Sequence, residues 1–530
     1  MMAAVLALAS SVPALAAVSL AGHFGGSWTG RTFLAPGDMT VYLSYILQVS
    51  DGSWLVSNLF APESGVPVLN LVWLYAGTLA RLMGLSPLAS FHLTRVLLVP
   101  LLAAAVYWSA GFFLKRRAER LWATALALFA SGWGAFVAPF IGSAEMVGGR
   151  YEWPIDLWVA ESNIFLSALH SPHFLAGWIL IIVSMTCLAK SYVESRLDYA
   201  AWAGLAALVL FEFHPFHAPT LYGIALVAAA SMAAARRPLR KLFQSLLIFG
   251  FLSLPSVLYH WWLLQPGRNE ATALTSNFNY TPGPFLVIVG FGAMVPLAVV
   301  GSLLWRRRSA ANRSVLARLL FLLSWIAFQS VAIYAPVIFQ RRFVQGLQFP
   351  LLLLSSVAVV ALLSQSVRRV FWPRWIHPLV GAVLLGVLLI PSSFYALANN
   401  LSLMAKNRPE IFYLSRGEWN AARWLHDNAS GDDLVLSSFA SGNGLPGYSG
   451  VRVYAGHWVA TPDAERRSEE TIRFFGPSDD DLWRQSFLSR NDISLVYVGP
   501  TEKRLGAYLM DKDFLRPVHE STTVTIYRVK

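Results

Sequence analysis

An acid that follows a proline–glycine pair and opens an amphipathic stretch is well placed to act as a base. Asp38 is such a residue: it comes after Pro36-Gly37 and precedes Tyr42, Tyr45, Ile46 and Val49, a stretch that ends at Asp51-Gly52. A helix starting there would turn its positive end toward the carboxylate and keep it ionised, able to take a proton from a hydroxyl or to hold a metal. The same position suits an N-cap, whose side-chain oxygen only accepts a backbone N–H. Two histidine pairs share one spacing, His170-Ser171-Pro172-His173 and His214-Pro215-Phe216-His217. With Glu161 or Glu212 nearby, imidazole and carboxylate make a donor set for a divalent metal. The competing readings are hydrogen bonding to a substrate, and proline-bounded turns that carry polar groups out of an apolar run.

The elements that must position these groups are hydrophobic. Of the 530 residues, 56% are hydrophobic and 13% charged, a composition that cannot fold in water without exposing large apolar surfaces. A span needs about 20 apolar residues to cross a core about 30 Å thick. Eleven stretches qualify: 3–21, 88–113, 120–140, 173–190, 198–212, 217–234, 241–262, 284–304, 315–335, 343–363 and 375–396. The run 198–234 is broken by Phe213 to Phe216, read as a turn between two short spans. Residues 1–21 imitate a signal peptide, with Ala14, Ala16 and Ala17 near a cleavage-like site, but lack a basic leader and read as a first span.

A twelfth apolar stretch, Val66 to Gly84, decides the parity of every later loop. If it does not cross, one side receives 18 basic residues, among them Lys115, Arg116 and Arg306 to Arg308, against only Glu119, Glu194 and Asp198. That bias runs through five short loops and marks the cytoplasm. Residues 66–84 therefore read as a helix lying along the outer membrane surface, with the N-terminus cytoplasmic and the C-terminal region outside. Asp38, Asp51, Glu63, Arg81, Arg95, Glu145, Arg150, Glu152, Asp156, Glu161, both histidine pairs, Arg268, Glu270, Arg341 and Arg342 then share the outer face. Polar groups kept beside a membrane despite their cost mark a functional site.

The formal charge of +12 does not describe a nucleic-acid binder. Residues 397–530 hold 16 basic and 17 acidic residues, so the excess belongs to the membrane part and sets orientation. Those cations also attract anionic membrane lipids. The single cysteine, Cys187, excludes an internal disulfide and leaves a thiol mechanism without support. From Arg416 onward short elements alternate. A helix carries Trp419, Ala422, Trp424 and Leu425. Strands follow at 434–438 and 451–455, helices near 463–475 and 479–489, and strands at 494–498 and 522–527. Gly442-Asn443-Gly444 reads as a turn rather than a phosphate loop, since no complete fingerprint surrounds it. The expected architecture is mainly α: a helical membrane bundle of about 11 spans over 1–396, with a first outer loop at 22–87, and an extracytoplasmic α/β domain over 397–530 that caps the site or recognises the acceptor.

The order of features resembles a known family. A first span, a long outer loop with an early acid in Gly37-Asp38-Met39-Thr40-Val41-Tyr42, a Gly52 turn, and a surface helix ending Leu82-Met83-Gly84-Leu85-Ser86 lead into a span that opens with Arg95. This is similar to the GT-C superfamily of membrane glycosyltransferases, which includes protein mannosyltransferases and lipid A aminoarabinose transferases. The likeness is fullest over residues 1–120. It implies a polyprenyl-phosphate sugar donor reached from the outer leaflet, a lipid, glycan or protein acceptor, and Asp38 as catalytic base or metal holder. Many relatives carry a second acid beside the first, where this chain has Met39.

A lipid phosphate calls for cations at the interface. Arg341 and Arg342 in Gln340-Arg341-Arg342-Phe343 supply a guanidinium pair suited to phosphate oxygens, against the positive-inside trend, and Arg95 is a third candidate. The competing role is snorkelling to headgroups. The rival function is a transporter or lipid-handling scaffold without catalysis. It predicts paired interrupted spans with ionisable groups at mid-membrane, whereas here those groups gather at one interface.

Overall fold

The computed structural model describes residues 1–63, 65–141, 145–147, 150–265, 278–309, 312–363, 385–406, 409–477, 480–506 and 512–530. It divides into two compact units. One comprises Met1–Ser11, Thr94–Trp262 and Phe278–Ala398, the other Val12–Leu93, Leu263–Asn277 and Asn399–Lys530.

Among the described residues, eight helices are long and apolar enough to cross a membrane, and a ninth span is formed if the bent pair Pro284–Phe291 and Met294–Arg308 counts as one. Nine of the expected eleven stretches are thus accounted for among the described residues, with the bent pair counted as one. The stretch at 198–212 is a helix, Leu197–Phe213, but its 17 residues rise only about 26 Å. Residues 375–384 of the last stretch lie outside the described residues. The helix in the ambiguous stretch, Leu71–Met83, has 13 residues and is too short to cross. Asn70 caps it by accepting from Trp73 N, and Gly84 ends it in the left-handed region. Its Trp73, Ala76 and Ala80 are buried while Tyr75, Leu82 and Met83 are exposed, which leaves one apolar face for a lipid surface.

Two of the long helices in the membrane unit are interrupted. The pair around Gly292 bends by 69°, and the span Arg117–Ile141 breaks between Phe129 and Gly134. The breaks meet: a Cβ on Gly132 would stand 2.2 Å from the Gly290 carbonyl oxygen, so only glycine lets these backbones touch. Trp133 N donates to Val289 O at 2.8 Å across the contact. Backbone groups freed inside a bundle need partners, and side chains supply them. Asp156 Oδ2 accepts from Gly134 N at 3.1 Å, Gln348 Nε2 donates to Ala130 O at 2.9 Å, and Ser392 Oγ accepts from Ala135 N at 2.9 Å.

The other unit is built on a five-stranded sheet in the order Arg452–Val453, Leu434–Leu436, Leu495–Val498, Thr525–Val529, Leu515–Glu520. The first two pairings are parallel and the last two antiparallel. Strand residues alternate between two cores, as a period of two requires. Leu434, Leu436, Val496 and Val498 pack with Phe474, Phe475, Phe487 and Leu488. Val435, Leu495, Tyr497 and Ile526 pack with Ala421, Leu425, Leu445 and with Phe60 from the first loop. That loop is thus part of the domain's own core. Leu59 O accepts from Val453 N at 2.9 Å, and Gly26–Trp28 pairs antiparallel with Tyr413–Ser415.

The reading of 442–444 as a turn is overturned. These residues lie inside a helix, Phe439–Ser449, that follows the Leu434–Leu436 strand. Their glycines serve close approach, since a Cβ on Gly442 would fall 2.1 Å from the Ala455 carbonyl oxygen.

Candidate active site

In the sheet-bearing unit, Asp38 is the first residue of the helix Asp38–Ser50, and Gly37 is its N-cap with no side-chain cap bond. The carboxylate turns instead toward His457, whose Nε2 lies 3.1 Å from Oδ1. Nδ1 of that ring accepts from Val459 N at 3.2 Å and Ala460 N at 3.0 Å. A ring nitrogen that accepts two N–H bonds carries no proton, so the imidazole hydrogen sits on Nε2 and is donated to Asp38. The His457 backbone is anchored as well: its N–H donates to Thr461 Oγ1, which donates to Phe60 O at 2.7 Å.

Asn443 fixes the chain on either side of Asp38. Its Nδ2 donates to Gly37 O at 3.3 Å, while its Oδ1 accepts from Thr40 Oγ1 at 3.3 Å and from Arg31 Nη2 at 2.5 Å. The Asp38 side chain remains 44% exposed against 10% for His457, so the acid is held yet reachable. The helix that Asp38 opens also walls a cavity of about 380 Å³, with Leu43 and Leu47 facing Trp28, Trp419 and Tyr448 and with Arg423 in its lining.

In the membrane unit the two histidine pairs come together around one ring. Phe174 lies 5.7 Å from His170, 3.9 Å from His173 and 5.6 Å from His214, centroid to centroid. His214 Nδ1 is 3.2 Å from His217 Nε2, which lies 3.0 Å from Gln345 Oε1. Gln345 Nε2 donates to Phe174 O, which fixes the amide and makes His217 Nε2 the donor. His173 Nδ1 pairs with Ser171 Oγ at 2.6 Å.

Arg341 and Arg342 lie in the short 3₁₀ turn Gln340–Val344 just before Gln345. Arg341 is stacked 4.4 Å over Trp158 and bonded to Asn279 Oδ1, and Arg342 is stacked 4.6 Å over Phe216. The 3₁₀ turn Ala160–Ser162, which carries Glu161, packs against theirs. Arg342 interacts electrostatically with His214 and His217. Arg95 is buried elsewhere in this unit, its guanidinium donating to Ala168 O at 2.5 Å and Ser11 Oγ at 3.3 Å, which braces the helix that ends at His170.

Several of the other residues expected on the outer face have structural partners. Glu63 pairs with Arg467 at 2.5 Å and Glu152 accepts from Gly283 N at 2.9 Å. Asp51 is pushed above the usual carboxylate range by burial, against the opposing pull of His426. Asp156 is fully enclosed, and burial raises its carboxyl to about 7. Arg268 and Glu270 lie outside the described residues. Among the described residues no group of three or more His, Cys, Asp or Glu is arranged to hold a metal ion.

No family model matches the chain. No curated protein sequence matches it either. Solved structures do. The fold superimposes on the oligosaccharyltransferase AglB from Archaeoglobus fulgidus, in complex with an inhibitory peptide and a dolichol-phosphate, at a TM-score of 0.55 and 11% identity, over 94% of this chain and 69% of that one. It matches ArnT from Cupriavidus metallidurans bound to undecaprenyl phosphate at 0.51 and 13%, over 98% and 97%. It matches the arabinofuranosyltransferase AftD from Mycobacteria at 0.51 and 13%, over 99% of this chain but 40% of that one. The chain therefore shares the fold of these solved membrane glycosyltransferases, the fold that the order of features in the sequence implies. At these identities the likeness is one of fold.

Proposed function

We propose that the chain is a membrane glycosyltransferase that takes its sugar from a polyprenyl-phosphate-linked donor on the extracytoplasmic side and passes it to a lipid, glycan or protein acceptor. The observation that carries this reading is the Asp38–His457 pair, a reachable carboxylate held by a ring whose own orientation is fixed by two backbone amides. It is supported by a fold shared with proteins solved with dolichol-phosphate and with undecaprenyl phosphate.

Asp38 acts as the base. It accepts the acceptor hydroxyl's proton as that oxygen bonds to the anomeric carbon, and the carbon–oxygen bond to the phosphate breaks with its electron pair leaving on the phosphate. In the membrane unit Arg341 and Arg342 are the candidates for binding the donor's phosphate, since cations already held in place by aromatic faces need little reorganisation to meet an anion. His457 is a positioning residue, and the apolar cavity beside the Asp38 helix takes the acceptor. The histidine turns hydrogen-bond the substrate. The membrane part over 1–396 carries the donor, with the N-terminus cytoplasmic, and 397–530 is the extracytoplasmic acceptor domain.

An Archaeoglobus fulgidus oligosaccharyltransferase has been solved with Zn and sulfate. Asp38 and His457 are donor types that a divalent ion accepts, but Nε2 carries the proton that bonds Asp38, so the pair as folded is a hydrogen bond rather than a ligand set. No step is assigned to a metal.

The test is transfer from a labelled polyprenyl-phosphate sugar in membranes containing Asp38→Asn. Removing a general base lowers turnover by roughly 100-fold or more, with expression and topology unchanged. Retained transfer sinks the assignment. Photocrosslinking of the labelled donor beside Arg341 tests the phosphate site.

A further inference from the structure

The membrane unit encloses a second cavity, of about 270 Å³, where four helices end. The contributing segments are the last residue of Pro87–Phe113 with Leu114 to Arg116 after it, the start of Arg117–Phe129, the last turns of Met294–Ser309 and the first turns of Arg313–Ala332. The cavity lies far along the bundle from the histidines. Gln348 accepts from Ile164 N near that end, while the cavity is lined by Val357, nine residues and about 13 Å further along the same helix.

Its lining has two characters. Phe113, Leu114, Trp305 and Val357 form a buried apolar floor. Lys115, Arg116, Arg308 and Arg318 face one acid, Glu119. Glu119 is 3% exposed and Arg308 holds it at 2.5 Å, so that carboxylate is already neutralised. Arg318 stacks 4.6 Å over Phe112, and its Nε has no hydrogen-bond partner among the described residues. Among those residues Lys115 and Arg116 form no ion pair. The lining thus holds three more cations than carboxylates over an apolar floor, with Glu194 acting on Arg318 from outside it. Lys115, Arg116 and Arg308 are exposed at its rim and Arg318 is half-buried, while the floor beneath them is buried.

We propose that this cavity binds the phosphate headgroup of an anionic phospholipid, with the start of its acyl chains lying against Trp305 and Phe113. The cations answer the phosphate and the floor answers the chains, so a free phosphate satisfies only half of the site.

The experiment uses the full-length chain, delipidated in neutral detergent, titrated with phosphatidylglycerol, phosphatidylcholine or inorganic phosphate and read by native mass spectrometry. Phosphatidylglycerol should be retained and phosphatidylcholine should not. The double variant Lys115→Gln/Arg116→Gln should bind phosphatidylglycerol roughly 30-fold more weakly, about 2 kcal/mol for two surface cations. Glu119→Gln, which removes the carboxylate in the lining and leaves Glu194 outside it, should bind it more tightly. Equal retention of the two lipids, or wild-type binding by the double variant, overturns the site. Inorganic phosphate binding as tightly as phosphatidylglycerol overturns the lipid as its occupant. Equal thermal midpoints of the lipid-free double variant and wild type show that folding is not what changed.

Discussion

Replacing His457 by asparagine and by glutamine separates the two ends of its ring. Asparagine leaves an oxygen near the position of Nδ1, able to accept from Val459 and Ala460, but cannot reach Asp38. Glutamine extends an N–H toward Asp38 and gives up the acceptor that orients the turn. A hydrogen bond to a charged acceptor contributes about 1.5–3 kcal/mol when buried. The Asp38 side chain is 44% exposed, so water replaces part of that contribution and about 1.5 kcal/mol remains. This corresponds to roughly a tenfold change in rate. His457→Asn should therefore lower kcat about tenfold with the donor KM unchanged, whereas His457→Gln should stay close to wild type in turnover and lose thermal stability instead. Adding His457→Asn to Asp38→Asn should cost nothing further, because the base that the ring positions is already gone. The assay is steady-state transfer from a labelled polyprenyl-phosphate sugar in detergent. Wild-type turnover in the asparagine variant, or a glutamine variant slower than the asparagine one, refutes the assignment of Nε2 as the working end.

Three other perturbations test the frame around the site. Asp156 has its carboxyl raised from 3.8 to about 7 by burial. A raised acid favours the folded state fully below the unfolded value and loses that advantage as pH climbs to the folded one, so the thermal midpoint should fall between about pH 4 and 7, by up to about 4 kcal/mol in stability; Asp156→Asn should flatten the profile, and an unchanged slope counts against the reasoning. Arg342→Lys keeps the charge but loses the planar fork stacked on Phe216, and should raise the donor KM about tenfold, which is about 1.4 kcal/mol; an unchanged KM removes Arg342 from the phosphate site. Gly132→Ala drives a methyl to 2.2 Å from the Gly290 oxygen, and should destabilise by about 1–3 kcal/mol or more, read as a lower midpoint or aggregation on size exclusion, while Gly22→Ala, with open space around it, should behave as wild type.

Much of the architecture could be read from local signals, and what could not shares one cause. Spans, the non-crossing stretch 66–84 and the helix ends at His170 and His214 follow from apolar run length, basic loops and proline positions. Each is decided within some twenty residues. Asp38 stood out for the same reason. His457 did not, because its meaning depends on a residue more than 400 positions earlier, and nothing around Gly456-His457-Trp458 announces a partner. A usable signal was its place after the strand at 451–455, since sites in α/β domains gather beyond the carboxyl ends of parallel strands. Asn443 was obscured by its flanking glycines, which suggested a turn when they in fact permit tight helix packing. The helix breaks at Gly132 and Gly292 leave no mark in the sequence because the hydropathy of each run continues straight through them.

The antiparallel pairing of Gly26–Trp28 with Tyr413–Ser415 has a bearing on biogenesis. The first loop is synthesised early, yet its strand partner, the sheet that buries Phe60 and the ring that steadies Asp38 emerge from the ribosome only hundreds of residues later. Until then the loop must wait, with an unpaired strand edge and apolar side chains in the open, a condition that favours chaperone capture or proteolysis of incomplete chains. The acid thus acquires its histidine only after the spans between them have been made, which ties formation of this pair to completion of the membrane bundle.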